Sequence, residues 1–313
     1  MRNAFAKELT RLAGEDSRIV LLSGDIGNRL FDDYKKNFPD RFYNCGVAEA
    51  NMTSMAAGMA MSGLRPITYT ITAFNTIRCF EQIKIDIAYH NLPVIVAGVG
   101  SGLSYAELGA THHSCEDIAC LRSLPNMQII NPADPLEARL ALRAALRQDQ
   151  PVYLRLGKKG EPALYDAEPS FAIGSGVVMR EGKDVCLLGT GTIMSVVLAA
   201  AAALEARGIS TKVINFHTLK PLDESLLDRV FSEVRLVATV EEHNLIGGFG
   251  SAVAEWLSRG PAKRARLLCK GVSDQFFCMA GKQDYAREHF GLTPDGIAGD
   301  VEYRLKAIND RRD

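Results

Sequence analysis

No stretch of this chain approaches the ~18 consecutive apolar residues that a membrane-crossing helix needs, so a transmembrane span is excluded. There is no basic excess either. Lys and Arg number 36 against 37 Asp and Glu, a formal net charge of -1. Nothing is left over to neutralise a phosphate backbone, which argues against a nucleic-acid or polyanion partner. The seven cysteines (45, 79, 115, 120, 186, 269 and 278) are odd in number and contain no CxxC pair. That usage fits reduced cytoplasmic thiols rather than disulfides or a zinc site. Met1 to Ala13 mixes charges into an amphipathic helical pattern and is no signal peptide. What remains is an ordinary globular profile, 313 residues with 47% hydrophobic and 23% charged, with room for two domains.

The chain reads as alternating strands and helices. Strands are expected at 19–22, 41–44, 65–71, 93–99, 127–130 and 152–156, with helices at 1–14, 52–61, 75–90, 116–123 and 134–147. Val94 to Val99 is continuously apolar, as in a parallel sheet covered on both faces. Asp134 followed by Pro135 is a helix start, a capping side chain and a proline at the first helical position. The rhythm breaks over 160–180, with Pro162, Pro169, Gly174 and Gly176, and then restarts. Strands are expected at 184–188, 212–216, 236–240 and 265–269, helices at 193–207, 223–233 and 251–258, and a charged helical tail from 300. The fold class is therefore α/β, two consecutive doubly wound domains with mainly parallel sheets. Residues 1–165 form the first, 166–180 a linker and 181–313 the second.

Candidate chemistry gathers in the first domain. Gly24-Asp25-Ile26-Gly27-Asn28 follows a strand, where an open parallel sheet presents ligand-facing groups, but it is neither GxGxxG nor a P-loop. Glu49 opens a helix of small and apolar residues, Met52 to Met61. Such a carboxylate either faces the positive helix end or is a buried acid. Without a cationic partner, a buried acid has a raised pKa and is suited to proton donation. The long loop 100–114 holds Tyr105, Glu107, Thr111, His112 and His113, and loops of that length in compact domains usually carry function. Hydrogen-bonding or proton-handling histidines fit it better than a metal site.

Seven stretches, taken together and in order, carry a family resemblance. They are Ser23 to Gly27; Phe38 to Phe42 running into Gly46-Val47-Ala48-Glu49; Phe74 with Arg78, Glu81 and Gln82; Gly109-Ala110-Thr111-His112-His113; Leu121 to Asn126; Pro132-Ala133-Asp134; and Phe216 to Asp223 with Gly247-Gly248-Phe249-Gly250. Over essentially its whole length the chain resembles the carboxyl-terminal half of transketolase, of the split type built from two polypeptides. The resemblance implies a pyrimidine-binding domain, a transketolase carboxyl-terminal domain and dependence on thiamine diphosphate. It matches Glu49 to the glutamate that hydrogen-bonds the pyrimidine, Phe74 to the aromatic stacked on that ring, and Asp25 to an acidic residue near the cofactor. Arg78 is placed with these cofactor-binding residues. His112 matches the active-site histidine. His113, Arg29, Arg155 and Lys158 are substrate-side candidates, Lys158 standing where the family has a phosphate-binding arginine. A lysine keeps that charge and loses the bidentate fork.

The departures are specific. Leu108 stands where the family has an aspartate reading a sugar hydroxyl, and Gly100 where it has a phosphate-side histidine. The family's diphosphate and metal signature, Gly-Asp-Gly followed by Asn, does not occur; the only Asp-Gly is Asp295-Gly296. The resemblance therefore implies an N-terminal transketolase subunit holding the diphosphate and Mg2+ or a similar ion, in an α2β2 heterotetramer acting on sugars or sugar phosphates. Kept open beside it are a 2-oxo acid dehydrogenase β subunit, half of a deoxyxylulose phosphate synthase and a non-catalytic partner chain.

Overall fold

The computed structural model describes residues 1–27, 29–261 and 265–310. Asn28 and the last three residues of the expected tail lie outside the described residues. In chain order the strands are β1 (Ile19–Ser23), β2 (Phe42–Asn44), β3 (Arg65–Ile71), β4 (Ile95–Val99), β5 (Gln128–Ile130) and β6 (Val152–Leu156). They continue with β7 (Val177–Arg180), β8 (Val185–Gly189), β9 (Thr211–Asn215), β10 (Thr218–Lys220), β11 (Leu236–Asn244) and β12 (Arg266–Val272). Two sheets result, β10-β5-β6-β4-β3-β1-β2 and β12-β11-β8-β9-β7. Every pairing is parallel except at one edge of each sheet, where β10 meets β5 and β7 meets β9 antiparallel. This is the expected α/β class. β1, β4, β6 and β8 are buried at every position, because helices cover both faces of a parallel sheet.

The two halves are interlocked. β10 comes from the second half yet extends the first sheet, Thr218 opposite Ile130. One apolar cluster accordingly runs through both, including Ile129 and Tyr153 on one side and Phe216, Leu219 and Phe249 on the other. β7 falls within the stretch expected as linker and forms the antiparallel edge of the second sheet.

Several elements differ from expectation. The helix expected over 75–90 is broken into short pieces. They are Thr72–Asn75, a 3-10 turn Ile77–Cys79, Phe80–Gln82 and a π-helical stretch Ile83–Tyr89. The break starts at Thr76, whose φ of -121° and ψ of -79° leave the helical region. β11 runs four residues beyond Val240, because Glu241, Glu242 and His243 find partners inside the protein and are buried. Gln283–His289 is a helix with no counterpart in the sequence reading, and the tail helix starts at Pro294. Among the described residues no helix is long and apolar enough to cross a membrane.

Candidate active site

The site forms at the carboxyl ends of β1 and β3. Glu49 is the first residue of the helix Glu49–Met61 and is only 1% exposed. Small residues explain how it reaches that depth. A Cβ on Gly24 would lie 3.4 Å from the Glu49 Cγ and 2.9 Å from the Thr70 Cβ, so the turn after β1 closes over the carboxylate only as glycine. The premise of a carboxylate without a cation is corrected here. Arg78 Nη1 donates to Glu49 Oε2 at 2.9 Å, and the 3-10 turn that breaks the expected helix is what carries Arg78 there. The other oxygen, Oε1, is buried and has no hydrogen-bond partner. A buried acceptor left unmade costs about 1–3 kcal/mol, so this atom is poised for a donor from outside the chain.

Phe74 and His112 form the adjoining wall. The Arg78 guanidinium lies over the Phe74 ring, 4.2 Å from its centroid. The edge-on His112 ring is 5.2 Å from Phe74 and 6.1 Å from Tyr105. Burial pushes the His112 pKa below its ordinary value, and the neighbouring His113 adds to the effect. His112 is therefore neutral at pH 7. The Thr111 hydroxyl is within hydrogen-bond distance of its Nδ1, at 2.9 Å. Asp25 is exposed, adopts φ +56° and accepts from Asn44 Nδ2 at 2.9 Å, which ties the end of β1 to the end of β2. Glu49, Phe74, Arg78 and His112 are thus brought together, with Asp25 one residue beyond the glycine that roofs Glu49.

One substrate-side expectation is corrected, and two further candidates meet partners within the chain. Arg155 is only 3% exposed and cannot meet a ligand. Its Nε donates to Asp117 Oδ2 at 2.7 Å, and its Nη2 donates to Asp117 Oδ1 and to the carbonyls of Ser114 and Glu242. His113 is buried beside Phe277. Its Nε2 lies 3.3 Å from the Ala106 carbonyl, and the ring borders a cavity of about 190 Å³ shared with Cys115, Asn244 and Phe277. Lys158 is not a free cation, since Nζ is paired with the Glu107 carboxylate and lies 4.4 Å above the Tyr105 ring. Arg29 is exposed.

Sequence reasoning missed the supports. Buried Glu242 accepts from Leu103 N at 2.7 Å and Arg287 Nε at 2.6 Å, holding the root of the His112 loop against the second half. Buried Glu241 accepts from Phe249 N and Gly250 N, capping the helix Phe249–Arg259. A charged run at a strand end looks like a solvated turn, and only the mostly apolar Leu-Val-Ala-Thr-Val before it hinted at depth. Among the described residues no cluster of His, Cys, Asp and Glu converges to hold a metal.

A parallel-sheet edge presenting a buried, half-partnered carboxylate, an aromatic ring and a neutral histidine defines the class, an α/β protein with a cluster of polar and aromatic groups at the carboxyl ends of its strands. The comparisons make this specific. Residues 1–161 match the family model "Transketolase, pyrimidine binding domain" and residues 174–297 match "Transketolase, C-terminal domain". A 6-deoxy-6-sulfo-D-fructose transketolase subunit of Clostridium sp. (strain MSTE9) is 36% identical, over 95% of this chain and 92% of its own. A 1-deoxy-D-xylulose-5-phosphate synthase of Symbiobacterium thermophilum is 39% identical over 96% of this chain, which spans 46% of it. A solved split-gene transketolase, described as an inactive beta4 tetramer, superposes with a TM-score of 0.88 at 37% identity, covering 97% of both chains. The chain belongs to the transketolase family, whose members depend on thiamine diphosphate.

Proposed function

We propose that this chain is the carboxyl-terminal subunit of a two-chain transketolase. It moves a two-carbon ketol unit from a ketose to an aldose once an N-terminal partner supplies the diphosphate and divalent-metal site. The observation that carries this reading is the Glu49 Oε1 atom, buried and unpartnered beside Phe74 and Arg78. A protonated carboxyl group there donates to a ring nitrogen, and an ionised one accepts from a ring N–H; both suit an aminopyrimidine. When bound, thiamine diphosphate supplies the electron sink that lets the bond beside a ketose carbonyl break. This chain's residues do the rest. Glu49 fixes the protonation state of the pyrimidine, Phe74 offers it an apolar face, and neutral His112 hydrogen-bonds a substrate hydroxyl.

The need for a partner has its own support. Val47 (74% exposed), Tyr89 (78%), Tyr43, Ile77 and Ile85 leave large apolar side chains in water on the segments that carry Glu49 and Arg78. The structural neighbour made of one chain type is described as inactive. Calorimetry with thiamine diphosphate and Mg2+ tests the reading on this chain alone, on the partner alone and on the mixture. Binding confined to the mixture, with ketol transfer lost in Glu49→Ala, supports it. Tight metal-dependent binding by this chain alone refutes the divided site.

A further inference from the structure

We infer that Glu107 makes the far end of the site select substrates whose end group is uncharged. The inference rests on the ketol-transfer reading and names the substrate class that reading leaves open. Its geometry starts at Gly100, where φ is +76° and an added Cβ would fall 1.9 Å from Tyr105 Cε2. Tyr105 therefore packs against the Gly100 backbone as a platform, only 9% exposed. Lys158 Nζ lies over that ring at 4.4 Å while its charge is matched by Glu107. Both contacts restrain the ammonium, one through the ring quadrupole and one through the carboxylate.

The same platform stands edge-on to His112, ring centroids 6.1 Å apart, which places the pair beside the proposed site. The next residue after Glu107 on the 3-10 turn Ala106–Leu108 is Leu108, an apolar side chain 49% exposed. The pairing with Lys158 holds the Glu107 carboxyl below its usual pKa, so it is ionised throughout the neutral range. A phosphate dianion arriving at Lys158 either displaces a carboxylate from its ammonium or lies beside it as a like charge. A hydroxyl or deoxy end suffers neither and gains contact with Leu108. Glu107 acts here as a specificity-determining residue on a cation that would otherwise bind anions.

Amine acylation of the full chain, mapped by peptide mass spectrometry, reads occupancy at Lys158 without any turnover. The probes are inorganic phosphate, D-fructose 6-phosphate and D-fructose. In the wild-type chain, inorganic phosphate leaves Lys158 labelling unchanged; in Glu107→Gln it slows labelling several-fold. Equal protection of Lys158 in both proteins overturns the inference. In the assembled enzyme the wild type favours D-fructose over D-fructose 6-phosphate by at least tenfold in kcat/KM, and Glu107→Gln narrows that ratio. A wild-type preference for the phosphate ester also overturns it. If neither ketose is turned over with partner and cofactor present, the ketol-transfer reading fails, and the footprint still decides the role of Lys158.

Discussion

Replacing Asp117 by Asn tests whether the two halves are held together through a buried charge. Asp117 and Arg155 are both under 4% exposed, joined by two contacts of 2.7 and 3.2 Å, and Tyr153 donates a further hydrogen bond to the same carboxylate. Burial opposes ionisation of Asp117, but the Arg155 guanidinium outweighs it and keeps the carboxyl below its usual range. Removing one member of such a pair leaves the other charge desolvated, which costs about 3–5 kcal/mol. Replacing both, as Asp117→Leu with Arg155→Met, should recover most of that loss, because the desolvation of both charges disappears with them. Arg155 also donates to the Glu242 carbonyl on β11, so the disturbance has to cross to the second half. Urea unfolding is followed by far-UV circular dichroism and by fluorescence of Trp256, the only tryptophan, which reports on that half. Both midpoints should fall together in Asp117→Asn. A loss under about 1 kcal/mol, the range of an exposed pair, or an unmoved Trp256 transition refutes the reasoning.

Glu49→Gln should lower ketol transfer in the assembled enzyme by about 10²- to 10⁴-fold, the usual worth of a placed acid or base, with little change in urea midpoint. Phe74→Ala removes the face against which Arg78 and a flat ring lie, and should weaken thiamine diphosphate binding by calorimetry by about tenfold, roughly one aromatic contact. His217, buried with an unpartnered Nε2 against Phe171, has its pKa pushed down to about 4 by burial. The native state then binds fewer protons than the unfolded chain between pH 6.5 and 4, so the stability held above pH 6.5 is lost on acidification, about 3 kcal/mol for this residue. His217→Phe should flatten that acid limb by this amount in pH-dependent urea titrations. His243, likewise near 4, and Glu241, raised to about 7 by burial, give their own slopes in both proteins and cancel in the difference.

The parts legible in the sequence are those fixed by neighbours along the chain. β3 and β6 span the residues expected of them, 65–71 and 152–156. Asp134, directly ahead of Pro135, accepts from Glu137 N as a capping residue. Glu49, at the head of a helix of alanine, glycine and methionine, sits as deep as that composition demands. β10 was not legible because three residues carry no periodicity, and its pairing with β5 is decided by packing between the halves. The stretch 75–90 has the apolar pattern of a continuous helix, and nothing local announces that Arg78 leaves it to pair with a carboxylate 29 residues earlier.

The substrate-side residues show the same division more sharply. Arg155 and Lys158 stand three positions apart at the end of one strand, and both look like free cations in sequence. Alternation along β6 cannot single out Arg155, since all five of its residues are buried, and Lys158 follows two residues after the strand. What separates them is the partner each meets from elsewhere in the chain. Arg155 meets Asp117 in the interior, where a cation survives only as part of a fully bonded cluster, and it becomes structure. Lys158 meets Glu107 at the rim, with 22% of its side chain still in water, where an arriving ligand meets the pair. The buried pair therefore answers to stability measurements and the rim pair to substrate choice, although one short segment of sequence supplies both cations.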